Sequence, residues 1–273
     1  ATTVAGSNFV KSRIITLITD FGTADTYAGV MKGVILSINA IAMVVDITHE
    51  IAPQDVWGAC FALHTAYPWF PKKTIHLVVV DPGVGSERRP LLIETKNYFF
   101  IGPDNGVFSA VLAGQGKKSV YKITDSAFLL PEVSATFHGR DVFAPIAAHL
   151  AKGIPPSRMG TVVSDYVRLD WPQPMAVKAG TVEGQILHID RFGNLITNFS
   201  RPYVRELTGG SDFYVRYAGK SINQVVPSYA YAKPGQLCSV FGSSNFLEIA
   251  VAGGSAAALL KARRGDPVML LKK

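Results

Sequence analysis

The chain has 273 residues, 48% of them hydrophobic and 17% charged, a composition that supports a sizeable core and excludes an intrinsically disordered protein. The formal net charge is +7, but the basic residues sit in scattered pairs such as Lys72-Lys73, Arg88-Arg89 and Lys117-Lys118, not in a stripe interleaved with aromatics, so nucleic-acid binding has little support. No apolar run reaches the roughly 18 residues of a membrane span, and Cys60 and Cys238 are too far apart in sequence to form a redox or zinc motif, which points to a reducing, cytoplasmic setting.

Residues 1–13, mostly small or polar, read as a tail. Residues 14–19 (IITLIT) read as a buried strand, and residues 26–38 as a helix carrying Val30, Val34 and Ile38 on one face. A second strand (IAMVVDIT) follows, then a helix opened by Pro53 and Asp55 and running to Tyr67, then a third strand (TIHLVVV). LLIET and YFFIG, joined by Lys96-Asn97, read as a hairpin. PDNG breaks the chain before a short helix (VFSAVLA), and FHGRD leads into a helix over 141–152 closed by Gly153. This alternation predicts an α/β sheet domain over 14–168 with helices on both faces. The proline-rich LDWPQP marks a linker over 169–179. Short alternating segments beyond it (TVEGQILHID, DFYVRYAG, QLCSVFG, FLEIAVAGG, PVMLL) predict a smaller, antiparallel, barrel-like β domain over 180–273, with little helix outside SAAALLKA.

Open α/β sheets bind ligands at the carboxyl ends of their strands. Asp20 and Asp25 follow the first strand, and Asp81 follows the third in DPGVGSERRP, with Arg88 seven residues on. His138 in FHGRD stands just before a helix. The β domain adds Asp190 and Asn194 in IDRFGNLITN, and Ser243 and Glu248 in GSSNFLEIAV. Each has a plainer reading. Asp20 and Asp25 can cap the first helix. Asp81 can shape a turn with Pro82 and Gly83. Arg88 can be a surface cation, His138 an N-cap and DRFGN a simple turn. GVGSE is no phosphate loop, lacking the Lys-Ser/Thr ending, and the six histidines show no metal-ligand spacing.

Taken together, the motifs ITLITDFGTADTYAGVMKG, VVDITHEIAPQDV, VVVDPGVGSERRP, FIGPDNGVFS, TFHGRDVFAPIAAHLA, IDRFGNLITN and GSSNFLEIAVAGGSAAALL resemble, in order from about residue 15 to residue 260, the S-adenosyl-L-methionine (SAM) hydrolases. These enzymes, also called hydroxide adenosyltransferases, are relatives of the fluorinating and chlorinating SAM enzymes. The resemblance implies that SAM and water give adenosine and L-methionine, with SAM as substrate and no cofactor. It also implies a homotrimer whose sites lie between the N-terminal domain of one subunit and the C-terminal domain of the next. Asp81, Arg88 and His138 would orient and activate the water, Asp81 as base or water-orienting carboxylate and His138 as its hydrogen-bond partner or proton relay. Asp20 would grip both ribose hydroxyls. Asp25, Asp190 and Ser243 would hold the methionine end. Asn194, with backbone near Val251, would read the adenine edge, Tyr229 would stack on the ring, and Glu248 would contact adenosine.

The same resemblance leaves a halogenase as the alternative. The fluorinating relatives carry tyrosine where Asp81 stands, serine where Gly139 stands, and an extra loop where this chain runs directly from Arg89 to Tyr98. All three differences favour water over halide. A sensor that binds SAM or adenosine without turnover is a second alternative, and it would have no use for a water-activating set.

Overall fold

The computed structural model describes residues 13–273, so the tail expected over 1–13 lies outside them except for Arg13. The chain divides into two compact units, one ending at Asp170 and the other beginning at Trp171.

The first unit is built on seven strands: β1 (Ile14–Thr19), β2 (Met43–Thr48), β3 (Ile75–Val79), β4 (Pro90–Thr95), β5 (Phe99–Pro103), β6 (Lys118–Ile123) and β7 (Gly160–Val163). Their order across the sheet is β2-β1-β3-β5-β4-β6-β7. The β2, β1, β3 and β5 pairs run parallel, because α1 (Tyr27–Ile38) and α2 (Val56–Ala66) carry the chain back between the first three strands and the antiparallel β4 carries it back before β5. The β4–β5 pair is the expected hairpin, closed across Lys96-Asn97 by Thr95 N donating to Tyr98 O at 3.0 Å. Every residue of β3 is buried, as a strand covered on both faces requires. Ile15, Leu17, Ile75, Leu77 and Val79 pack with Met31 and Ile35 of α1 and with α4 (Ala144–Ala151). Ile18, Val78, Val80, Ile93 and Phe100 pack on the other side with Ala59 and Leu63 of α2 and with α3 (Ser109–Ala113). The expected α/β sheet with helices on both faces is therefore present.

Strand ends matter most for function. Thr19 of β1 lies opposite Val79 of β3, and Leu77 of β3 lies opposite Ile101 of β5. Asp20, Asp81 and Asp104 therefore leave three neighbouring parallel strands at one sheet edge. The cap position of α1 is Thr26, without a side-chain cap bond, so the plain capping reading of Asp20 and Asp25 is not what the structure shows. Asp55 does cap α2, accepting from Gly58 N at 3.0 Å.

The second unit holds β8 (Met175–Lys178), β9 (Thr181–Ile189), β10 (Leu195–Ser200), β11 (Phe213–Tyr217), β12 (Lys220–Ile222), β13 (Val225–Val226), β14 (Leu237–Phe241), β15 (Phe246–Val251) and β16 (Pro267–Lys272). They form one nearly closed, barrel-like sheet in the order β12-β11-β16-β9-β10-β15-β14-β13, with β8 beside β9. Its pairs are antiparallel apart from β13 with β14. Val182, Ile186, Leu195, Phe199, Val215, Leu247, Ile249 and Leu270 fill its core.

Two expectations need correction here. The stretch 169–179, read as a linker, contains β8, which pairs with β9 through Met175, Ala176 and Lys178. Helix is not confined to SAAALLKA, which forms α6 (Ala256–Leu260), because α5 (Arg201–Thr208) precedes it. Ser200 Oγ accepts from Tyr203 N at 3.3 Å, Pro202 sits in the first turn, and Gly209 ends the helix at φ 61°. Those start and stop signals stand in SRPYVRELTG. They are easy to pass over because Val204 and Thr208 alone are buried in α5.

Candidate active site

Asp81 leaves the end of β3 and opens a tight turn. Its carbonyl accepts from Val84 N at 3.2 Å and that of Gly83 from Ser86 N at 3.1 Å. The turn brings Arg88 back onto Asp81. Arg88 Nε lies 2.9 Å from both carboxylate oxygens, and Nη2 lies 2.5 Å from Oδ2. The two side chains are 8% and 6% exposed, and the guanidinium sits 5.2 Å over the Phe143 ring. Arg88 Nη2 also meets His138 Nδ1 at 2.7 Å. The turn approaches the segment before His138 so closely that a Cβ on Gly85, at φ 76°, would stand 2.4 Å from Ala135 O. Arg88 is thus a buried partner and not a surface cation, and His138 makes no cap bond.

The three side chains form a row of carboxylate, guanidinium and imidazole. A guanidinium has donors only, so His138 Nδ1 is the acceptor and a neutral ring carries its hydrogen on Nε2. Burial, and then the Arg88 charge, hold the His138 imidazole below its ordinary range, which keeps that neutral form in place. Gly139 follows, opening a π-helical turn over Gly139–Phe143 that runs straight into α4. A Cβ on Gly139 would lie 3.1 Å from Met31 Sδ, 3.2 Å from Phe137 Cε2 and 3.3 Å from Val79 Cγ1.

Asp20 stands on the strand beside Asp81 and accepts from Gln54 N through Oδ2 at 2.8 Å. Gln54 is in the left-handed region at φ 65°. Asp25 is exposed and lines an open groove with Ala28, Val30, Lys32, Asp46 and His49. In the second unit Asp190 shapes the β9–β10 loop. Its Oδ1 accepts from Phe192 N at 2.9 Å and Asn194 N at 2.8 Å, and its Oδ2 accepts from Asn194 Nδ2 at 2.9 Å. The Asn194 amide is thereby fixed in orientation. Tyr229 OH donates to Glu248 Oε2 at 2.6 Å. Glu248 is 5% exposed, and burial, against the Tyr229 hydrogen bond and with the Asp190 charge, raises its carboxyl above the usual range.

Hydrogen bonds thus unite Asp81 with Arg88 and His138, Asp190 with Asn194, and Tyr229 with Glu248. Asp25, the exposed Ser243 and the buried Val251 take no part in them. Sequence reasoning missed Phe143, which underlies Arg88, and Gln54, which holds Asp20. One is an ordinary core aromatic by type and the other acts through its backbone, so neither leaves a mark in a single sequence.

The sequence profile of the SAM hydroxide adenosyltransferase N-terminal domain matches residues 15–160, and that of the C-terminal domain matches residues 184–269. The chain belongs to the SAM hydroxide adenosyltransferase family. The two family domains fall one in each unit of the structure. A Methanocaldococcus jannaschii protein named (R)-S-adenosyl-L-methionine hydrolase is 41% identical over 196 residues, 70% of this chain and 68% of its own. A Thermus thermophilus protein of the same name is 37% identical over 268 residues, 95% of this chain and all 100% of its own. Proteins named fluorinase also match, the Actinoplanes one at 29% identity over 69% of this chain. Among solved structures, an uncharacterised conserved protein from Thermotoga maritima superposes with a TM-score of 0.89 at 37% identity, covering 95% of this chain and 100% of that one. Among the described residues, no helix of this family member is long and apolar enough to cross a membrane.

Proposed function

We propose that the protein hydrolyses SAM to adenosine and L-methionine by in-line attack of an activated water on the ribose C5′. Family membership and the hydrolase-named relatives support the reaction. The observation that carries it to this chain is the hydrogen-bonded row Asp81–Arg88–His138 at the mouth of β3. The C5′–S bond of the sulfonium breaks and methionine leaves as a neutral thioether, so the leaving group needs no acid. The C5′–O bond forms from water, whose proton passes to Asp81 and on to solvent. His138, with Nδ1 engaged by Arg88, serves as a donor through Nε2 that orients the water oxygen. Arg88 balances the carboxylate, so the site offers no uncompensated cation to a halide, which sets it against the halogenase reading.

The substrate roles follow the same reading: Asp20 on the ribose hydroxyls, Asp25, Asp190 and Ser243 on the methionine end, Asn194 and the Val251 backbone on the adenine edge, Tyr229 on the adenine face and Glu248 on the adenosine side. The protein acts as a homotrimer in the cytoplasm; light scattering in solution checks the trimer, and cell fractionation the location.

Incubation with SAM in oxygen-18 water decides the reaction. Adenosine labelled at the 5′-oxygen is the expected product, and unlabelled adenosine, or 5′-chloroadenosine as the main product in chloride buffer, overturns the proposal. The ribose assignment has its own check. Asp20→Ala removes hydrogen bonds to a charged acceptor worth about 1.5–3 kcal/mol each. Calorimetry should therefore show adenosine affinity falling by roughly ten- to a hundredfold or more, and unchanged affinity would take the ribose away from Asp20.

A further inference from the structure

The reaction scheme leaves the PDNG segment without a task, yet two of its residues hold both ends of the turn that carries Asp81 and Arg88. Val80, directly before Asp81, has its carbonyl taken by Asn105 Nδ2 at 2.9 Å. Arg89, directly after Arg88, donates through Nε to Asp104 Oδ2 at 2.7 Å, and its carbonyl accepts from Asp104 N at 2.9 Å. The grip is itself well anchored. The Asp104 side chain is 3% exposed, and its other oxygen accepts from Val167 N at 2.8 Å. Arg89 reaches on to the Asp165 carboxylate at 2.7 Å. Asn105 is oriented by Val107 N, which donates to its Oδ1 at 3.2 Å. Between the two grips the turn closes on itself through Val84 N to Asp81 O, Ser86 N to Gly83 O and Ser86 Oγ to Gly83 O at 2.6 Å, so its shape is set internally and its placement depends on what holds its two ends.

We propose that Asp104 and Asn105 are positioning residues, a two-point clamp that sets where Asp81 and Arg88 stand and so where Arg88 meets His138. The catalytic consequence rests on the hydrolase reading above.

Two variants test it. Asn105→Asp keeps the acceptor for Val107 N but loses the donor to Val80 O. Asp104→Asn keeps an oxygen acceptor but removes the charge facing Arg89. In each, kcat for SAM should fall about 10- to 100-fold, since a misplacement of ~1 Å costs up to about 10², while KM stays within about twofold because the proposed SAM contacts lie elsewhere. Built on Asp81→Asn, each should cost less than about a further twofold, because the group it positions is already disabled.

Imidazole NMR gives a readout that needs no turnover. Burial and then Arg88 hold His138 below its usual midpoint, against the smaller raising effects of the Asp81 and Asp141 charges, so releasing the turn's larger contributor, Arg88, raises that midpoint. The two variants shift local charge in opposite directions, and Asp104→Asn, by charge alone, would lower the midpoint. A rise in both is therefore the signature of lost positioning. Thermal melting establishes that the variants are folded, and Arg89→Lys replaces Asp104→Asn if the latter is not. Wild-type kcat and an unmoved His138 midpoint in folded variants overturn the proposal, as does a loss that multiplies in full with Asp81→Asn. If the unmodified protein forms no adenosine from SAM, the hydrolase reading fails, and the His138 titration still decides the clamp.

Discussion

Asp81→Asn should lower SAM turnover by about 10²–10⁴-fold, the usual worth of general-base assistance, and leave adenosine affinity near that of the unmodified protein. Asparagine is the informative replacement. Asp81 and Arg88 are both almost wholly buried, so Asp81→Ala would strand a guanidinium without its carboxylate, and breaking a buried pair costs roughly 3–5 kcal/mol. Asparagine keeps the volume and one acceptor for Arg88, and the melting temperature then reports what the lost charge alone costs the fold. Arg88 bonds to both other members, so removing any one member disturbs the setting of the rest. The Asp81→Asn, Arg88→Met and His138→Asn losses should therefore not add, and the triple variant should be little worse than the poorest single one. Turnover, adenosine affinity and melting temperature measured on all seven combinations check this. Strictly additive losses would dissolve the unit, and a folded Asp81→Asn protein with normal turnover would remove Asp81 from the mechanism.

Acid should destabilise the protein through a different histidine. His76 in β3 is fully buried, shares a 2.8 Å hydrogen bond with Thr16 Oγ1 through Nδ1, and has no partner for Nε2 among the described residues. Its ring stacks on Phe100 with centroids 5.4 Å apart and meets Tyr67, Phe70 and Tyr98. Burial pushes its pKa from 6.5 down to about 3. The folded value lies below the unfolded one, so between them the unfolded chain binds the extra proton. The stability from keeping His76 neutral is complete above pH 6.5 and drains away as the pH falls towards 3. At about 1.4 kcal/mol per pH unit, the whole window amounts to roughly 4–5 kcal/mol. His76→Phe keeps an aromatic ring in the cluster and removes the titration. Urea unfolding at steps from pH 6.5 to 4.5 should show the variant losing less stability per unit than the unmodified protein, by about that increment. Equal slopes would show that folded His76 takes up its proton in this window as readily as the unfolded chain does, so that burial does not depress it.

The architecture of the first unit was legible because its signals are local and strong. TIHLVVV ends in four apolar residues, as suits a strand covered on both faces, and Lys96-Asn97 separates two runs of strand type at hairpin spacing. β8 and α5 escaped for opposite reasons. All four residues of β8 are exposed, so no alternation betrays it, and α5 announces itself through its caps rather than a buried stripe. At the site, the types and order of Asp81, Arg88 and His138 carried the resemblance, but periodicity could not say that Arg88 is the middle member, nor that its donor decides which imidazole nitrogen carries the hydrogen. Those are facts of direction, and direction comes from tertiary contacts. Arg88 and Arg89 make the point most sharply. They are identical neighbours in sequence, yet one is buried against Asp81 and the other ties Asp104 to Asp165.

The crowding at Gly139 bears on substitution there. The sequence resemblance places serine at this position in the fluorinating enzymes, and Gly139→Ser is the single change that would copy it. In this fold a new Cβ meets Met31, Phe137 and Val79 at once, and overfilling a packed interior costs about 1–3 kcal/mol. A first-step Gly139→Ser would thus be born with a stability handicap and no new reaction to offset it. A smaller residue at Met31 relieves the shortest of the three contacts beforehand, and the same serine then enters at a smaller cost. The two positions are therefore coupled, and what serine at 139 costs depends on what stands at Met31.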